Sequence, residues 1–310
     1  MHARVCGTVL GAALVAIGCS APAAAPAHGG ISFDCSALTA PVEAATPTMS
    51  VPVTGAAPTF PPGEATLTVF AAAALTDAFT ELELELETAY PGLDIVYNFG
   101  GSQALVTQLS EGAAADVFAS ANLPQMTAAQ DNGSIAGEAV VFARNQLAIV
   151  VPASNPAGID DSADLGNDGL RLVLAQPEVP VGRYSRESVC LMARDAATYG
   201  EGFAERVAAN VVSEEEDVRD VLAKVELGEA DAGIVYVSDA RAGGEAVTAI
   251  AIPEAVNLVA VFPIAAAAGG DEELADAFIG SVLGPDGQAA LAAAGFEAVA
   301  PVVDDASPAP

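Results

Sequence analysis

From Thr66 onward the chain alternates short apolar runs with amphipathic stretches: LTVFA, LTDAFTELELELETAY, LDIVYNF, SQALVTQLSEG, then ADVFAS. Apolar runs of strand length separated by helical-period segments predict a βαβα order and hence an α/β fold with mixed sheets. The segment ELELELE fits a strand by its strict alternation. On a helical projection, however, Ala78, Phe79, Leu82, Leu86 and Ala89 fall on one side and the glutamates point mostly away. The neighbouring segments select the helix, and Pro91-Gly92 supplies its stop. Further strands are predicted at 146–151, 170–175, 232–237, 247–252 and 257–265, with helices near 183–198, 216–227, 272–283 and 286–294. No internal repeat of fixed period stands out.

The two ends depart from this pattern. Residues 1–18 carry one basic residue, Arg4, then an uncharged apolar run from Val5 to Ile17, then Gly18 ahead of Cys19. This reads as a secretory signal of the bacterial lipoprotein type, in which cleavage leaves Cys19 as the lipid-modified N-terminus. An ordinary signal cleaved near 21–27 is the alternative. Residues 19–63 follow as an extended, disordered tether: 20–63 holds eight of the twenty prolines and two charged residues, Asp34 and Glu43. Residues 300–310 form a tail. The longest later uncharged stretch, 255–270, is too short for a membrane span and contains Asn257 and Pro263. The membrane is therefore reached through the lipid anchor alone, on the outer face of the cell.

Charge narrows the partners. Among 310 residues, 10 Lys+Arg stand against 41 Asp+Glu, a formal charge of −31. Such a field repels nucleic-acid phosphate and anionic lipid. The only histidines, His2 and His28, lie in the signal and the tether, so the folded part has no histidine base or metal ligand. Of the four cysteines, Cys6 leaves with the signal and Cys19 is the acylation site. Cys35 and Cys190 remain, either as a disulfide in an oxidising compartment or as two unrelated thiols. The densest acidic run, Glu214 to Asp217, reads as the charged first turn of a helix, with Ser213 and Glu216 at capping-box spacing.

Three turns lead into helices through small residues: Gly100-Gly101-Ser102, Val179-Pro180-Val181-Gly182 and Glu216-Asp217-Val218. Free backbone N–H groups at such turns, with a serine hydroxyl at the first, are able to receive an oxyanion. Arg183 and Arg219 adjoin two of them, either softening the surrounding negative field or standing as solvated helix charges.

TVFAAAALTDAF, NFGGSQALVTQLSEGAAADVFASA, QPEVPVGRYSRESV and EEDVRDVLAKVELGEADAGIVYVSDA resemble, in order and spacing, the molybdate-binding proteins of ABC transporters, over about 65–296. The resemblance implies a two-lobed periplasmic-binding-protein type II fold. Lobe I comprises 64–145 and 256–299, lobe II comprises 146–255, and the two crossings lie near 144–146 and 254–256. It further implies an oxyanion, molybdate or tungstate, held by neutral donors: the amide and hydroxyl of Ser102, the backbone amides of Ala74, Val181 and Val218, and the phenol of Tyr236. Ala74 stands where the family carries a serine, so one side-chain donor is missing, and Thr76 is not an evident replacement. The implied partners are an ABC permease and its ATPase, with the binding protein a monomer that has no cofactor and no catalytic turnover. A sulfate or other tetrahedral-oxyanion binder, an exported carboxylate-pair enzyme and a surface interaction protein on the same fold are the competing readings.

Overall fold

A computed structural model describes residues 31–36 and 59–299. The signal, the acylation site Cys19 and the tail 300–310 lie outside the described residues. In chain order the elements are β1 (Ala65–Ala72), α1 (Thr76–Ala89), β2 (Leu93–Gly100), α2 (Ser102–Ser110), β3 (Val117–Ala119), α3 (Leu123–Asp131) and β4 (Ile135–Pro152). Next come β5 (Leu172–Ala175), α4 (Pro180–Arg194), α5 (Ala196–Tyr199), α6 (Phe203–Asn210), β6 (Val211–Glu215), α7 (Val218–Glu226), β7 (Ala232–Tyr236) and α8 (Val237–Ala242). The chain continues through β8 (Val247–Ala251), β9 (Val259–Ala267), α9 (Glu272–Leu283), α10 (Pro285–Ala293) and β10 (Glu297–Ala298). A single 3₁₀ turn, Ala73–Leu75, joins β1 to α1.

The strands form two mixed sheets that share β4. In the first, β1 lies parallel between β2 and β3, β9 pairs antiparallel with β3, and β4 pairs with β9 from Ile135 to Gln146. In the second, β4 from Leu147 onward pairs antiparallel with β7 and β8, while β5 lies parallel to both β7 and β6. The chain thus passes between the sheets inside β4, at Gln146-Leu147, and returns between Ala251 and Val259. Asn257 clasps the two passages: its side-chain amide donates to the carbonyl of Leu147 (2.9 Å) and accepts from the N–H of the same residue (3.1 Å). Nearby, Asn145 donates to the Ser238 hydroxyl at 2.8 Å.

In α1 the residues Ala78, Phe79, Leu82 and Leu86 are buried while Leu84 is 65% exposed, so the repeated Glu-Leu unit follows the helical period and not the strand period. Ala89, expected on the inner face, is exposed because it lies in the last turn, where the helix leaves the sheet. The acidic run also departs from expectation. Ser213, Glu214 and Glu215 belong to β6, and the helix starts later, with Asp217 as N-cap accepting from the N–H groups of Arg219 (2.7 Å) and Asp220 (3.1 Å). A run of glutamates carries helix propensity, but here Arg186 pairs with Glu214 and Lys224 with Glu215, which offsets the repulsion in the strand.

Within the span expected as a disordered tether, the described residues Phe33, Cys35 and Phe60 depart from that expectation by packing on the folded part. Phe60 is 7% exposed and packs its ring 5.0 Å from that of Tyr90. Phe33 lies 5.7 Å beneath the guanidinium of Arg186, and Cys35 forms a disulfide with Cys190 on α4, the Cα atoms 5.2 Å apart. Composition underweights such anchors, because an apolar contact or a covalent bond made by one residue is not visible in a count of prolines.

The disulfide closes a sequence separation of 155 residues. Disulfides typically stabilise a fold by about 2–4 kcal/mol, and more for longer loops. We expect mass spectrometry of the denatured, unreduced protein to find Cys35 and Cys190 blocked to thiol reagents, and Cys35→Ser to lower Tm by several degrees.

Candidate functional site

The carboxyl ends of the parallel strands converge on one cleft, the place where open α/β sheets present their ligands. From the first sheet, β1 runs into the turn carrying Ala73 and Ala74, and β2 runs through Gly101 into Ser102. From the second, β5 leads to the N-terminus of α4 at Pro180-Val181, β6 to that of α7 at Val218, and β7 ends on Tyr236. These residues, with Ala72, Gly100, Ala121, Val179 and Asp217, line one cavity of about 10 Å³. That is about the room of one water molecule, and none for a sugar or a peptide. All five residues singled out in the sequence, Ala74, Ser102, Val181, Val218 and Tyr236, lie on its wall.

The wall presents hydrogen-bond donors. The first N–H groups of a helix have no acceptor within the helix. Pro180 opens α4 without an N–H, which leaves Val181 as its first donor. On α7, Asp217 takes the N–H groups of Arg219 and Asp220, so the amide of Val218 is the one left facing the cavity. Ser102 is 1% exposed, and its Oγ accepts from the N–H of Ala121 at 3.0 Å, so its own proton is available for another acceptor. Tyr236 is wholly buried, with its ring edge-on to Phe262 (centroids 5.5 Å apart) and its hydroxyl without a partner. Burial pushes this phenol well above the usual tyrosine range, with Tyr184 and Asp239 adding to the rise, so it remains a donor. No lysine or arginine lines the cavity.

Sequence reasoning missed some of the supports. Ala121, in the ADVFASA block, fixes the Ser102 hydroxyl through its backbone and carries no side-chain signal of that role. The sequence pattern puts Asp217 inside a charged helical turn, whereas it caps α7, with Oδ1 accepting from both Arg219 and Asp220. Thr76 donates to the carbonyl of Ala73 at 2.7 Å and does not line the cavity, so it does not replace the hydroxyl missing at position 74. Gly182 is required by packing: a Cβ there would stand 2.1 Å from the carbonyl oxygen of Gln176 and 2.4 Å from that of Ala175.

Residues 67–297 match the model of the bacterial extracellular solute-binding protein family. The molybdate-binding protein ModA of Mycobacterium tuberculosis is 40% identical over 235 residues, covering 76% of this chain and 85% of the relative. The chain belongs to the ModA family of bacterial extracellular solute-binding proteins. It is a substrate-binding component of an ABC transporter and not an enzyme. Two solved structures share the fold. The periplasmic molybdate-binding protein of Azotobacter vinelandii matches with a TM-score of 0.64 at 19% identity, covering 76% of this chain and all (100%) of that one. The sulfate-binding protein SubI of Mycobacterium tuberculosis matches with a TM-score of 0.68 at 19% identity, covering 77% and 88%. Among the described residues no helix is long and apolar enough to cross a membrane, and no three His, Cys, Asp or Glu side chains gather to hold a metal ion.

Behind Tyr236 lies a buried carboxylate. Asp239 is 0% exposed and accepts from the N–H of Tyr236 at 3.2 Å. The Nε of Arg219 lies 2.9 Å from its Oδ1, close enough for an ion pair but off line for a hydrogen bond. Burial pushes the Asp239 carboxyl from 3.8 up to about 7, against the pull of Arg219. In the unfolded chain the group ionises near its ordinary value, so between these limits the folded form holds the extra proton, and stability falls as pH rises through the window. Thermal unfolding across that range should show wild type losing stability relative to Asp239→Asn as pH rises from about 4 to about 7, with the difference level above it.

Proposed function

We propose that this protein captures a tetrahedral oxyanion, molybdate or tungstate, between its two lobes and presents it to an ABC permease and its ATPase. It acts as a monomeric lipoprotein anchored through Cys19, with lobe I formed by 64–145 and 256–299 and lobe II by 146–255. The observation that carries the reading is the Tyr236 hydroxyl, buried without a partner on the wall of a cavity that also takes the free proton of Ser102. A buried donor left unmade costs about 1–3 kcal/mol, and an acceptor-only ion supplies what both hydroxyls lack. The amides of Ala74, Val181 and Val218 complete the donor set.

The donor set also selects among ions. A fully ionised tetrahedral dianion accepts hydrogen bonds and donates none, so it suits a wall of N–H and O–H groups. A phosphate that keeps a proton needs an acceptor. The carboxylate on the wall, Asp217, takes the N–H groups of Arg219 and Asp220 on Oδ1, which leaves Oδ2 as the acceptor that such a proton would have to reach. Recognition by dipoles without a counter-charge keeps a buried cation, and its desolvation cost, out of the cavity. The 40% identical relative is named for molybdate, which supports that ion first. Sulfate is the second reading: a sulfate-binding protein shares the fold, and the methyl of Ala74 removes one donor from the set that the molybdate resemblance implies.

Calorimetric titration with molybdate, tungstate, sulfate and phosphate tests this. Ser102→Ala and Tyr236→Phe should each weaken molybdate binding by about 1.5–3 kcal/mol, roughly ten- to hundredfold in Kd. Ala74→Ser should tighten it. Sulfate bound more tightly than molybdate by wild type gives the second reading, and no binding of any of the four ions refutes both.

A further inference from the structure

Arg219 reaches in two directions from the second position of α7. Its Nε stands 2.9 Å from the buried Oδ1 of Asp239, and one terminal nitrogen (Nη2) donates to Oδ2 of Asp77 at 2.7 Å. Asp239 follows β7 in the second lobe, whereas Asp77 is the second residue of α1 in the first. Asp77 lies three residues after Ala74, and Arg219 directly follows Val218, so the bridge stands beside the cavity and joins a donor turn of one lobe to a donor turn of the other. Two neutral contacts span the same cleft: the Gln103 amide donates to the carbonyl of Glu216 at 2.9 Å, and that of Gln125 to the carbonyl of Glu178 at 3.2 Å.

We propose that the Asp77–Arg219 pair is a cross-cleft latch and that Arg219 is a positioning residue for ion capture, pre-set by Asp239 to meet Asp77 when the lobes close. This rests on the proposed capture of an oxyanion between the lobes. Separation of the lobes parts Arg219 from Asp77 but not from Asp239, since those two ride on the same lobe. The long side chain is therefore already ordered in the open state, and the conformational entropy that usually cancels an exposed ion pair is spent on Asp239 instead. Asp77 keeps a half-exposed side chain (54%) even in the closed arrangement, so its loss leaves no buried charge unpaired. Removing Arg219 is different, because Asp239 would then be left buried without a cation. The latch charges are also spaced away from the ion: neither Asp77 nor Arg219 lines the cavity, so the pair strengthens closure without adding a charge to the binding wall.

The test compares wild type with Asp77→Asn at about pH 8, above the Asp239 transition, by following release of radiolabelled molybdate into excess unlabelled molybdate. The variant should release the ion roughly two- to fivefold faster at low salt, the range of a well-ordered exposed pair. Raising ionic strength should speed release from wild type toward the variant's rate and leave the variant little changed. The Tm of the ligand-free protein should be the same for both, and Asp77→Glu should restore slow release in part. If wild type binds molybdate and Asp77→Asn releases it at the wild-type rate, the latch is overturned and the function stands. A lower ligand-free Tm for Asp77→Asn than for wild type would make the pair a fold contact and also overturn it. If wild type binds no oxyanion, both fall together.

Discussion

Everything in this structure turns on a hydrogen-bond imbalance: a small enclosed space walled by donors with almost nothing inside the protein to accept from them. Folding normally pairs such groups, because an unpaired buried donor is destabilising by an amount that matters against a marginal total. Here the phenol of Tyr236 and the proton of Ser102 face the same space, and the leading amides of three helix starts and one 3₁₀ turn border it with them. The imbalance is divided between the two sheets, each of which contributes donors to the wall. Under the proposed function, water would reach each set of donors with the lobes apart, and a common acceptor would satisfy both with them together.

The architecture follows from that division. Two parallel sets of strands must aim their carboxyl ends at each other, which requires two sheets and at least one element that belongs to both. Strand β4 is that element, ceding its partner β9 at Gln146 and taking β7 at Leu147. A chain of rings from Phe278 through Phe79 and Phe142 to Phe262 ends on Tyr236, with centroids 5.5 to 6.4 Å apart, so packing that begins on the first sheet reaches the phenol at the end of β7. Asn257, one of the polar residues that breaks an otherwise apolar stretch, ties the two passages through the backbone of Leu147.

Much of this was legible in the sequence, for identifiable reasons. Strands and helices with strong period, such as α1 and α9, announce themselves, and the turns at Ser102, Val181 and Val218 are visible because small residues and proline have few other uses before a helix. The 3.6-residue period even resolves ELELELE, once Leu84 is allowed to face water. What stayed hidden depends on distant partners. The strand Val211–Glu215 looks helical until Arg186 and Lys224 are placed beside its acids, and the short helix Val237–Ala242 is too brief to carry a period. Phe33, Cys35 and Phe60 looked like parts of a tether because composition counts residues and does not see which ones are anchored. Arg219 was equally open: its neighbours in sequence say nothing about Asp77, which lies 142 positions away.

The formal charge of −31 has a kinetic side under the proposed function. An anion approaching this protein climbs a repulsive potential before it reaches the donors, so encounter, not grip, is where the surface works against the site. Mobile counter-ions shorten that potential to about 8–10 Å at physiological ionic strength, leaving the short-range dipoles at the cleft mouth to take over. Capture would then be quickest in saline surroundings, where the same electrolyte that loosens ion pairs elsewhere on the molecule clears the path to its cleft.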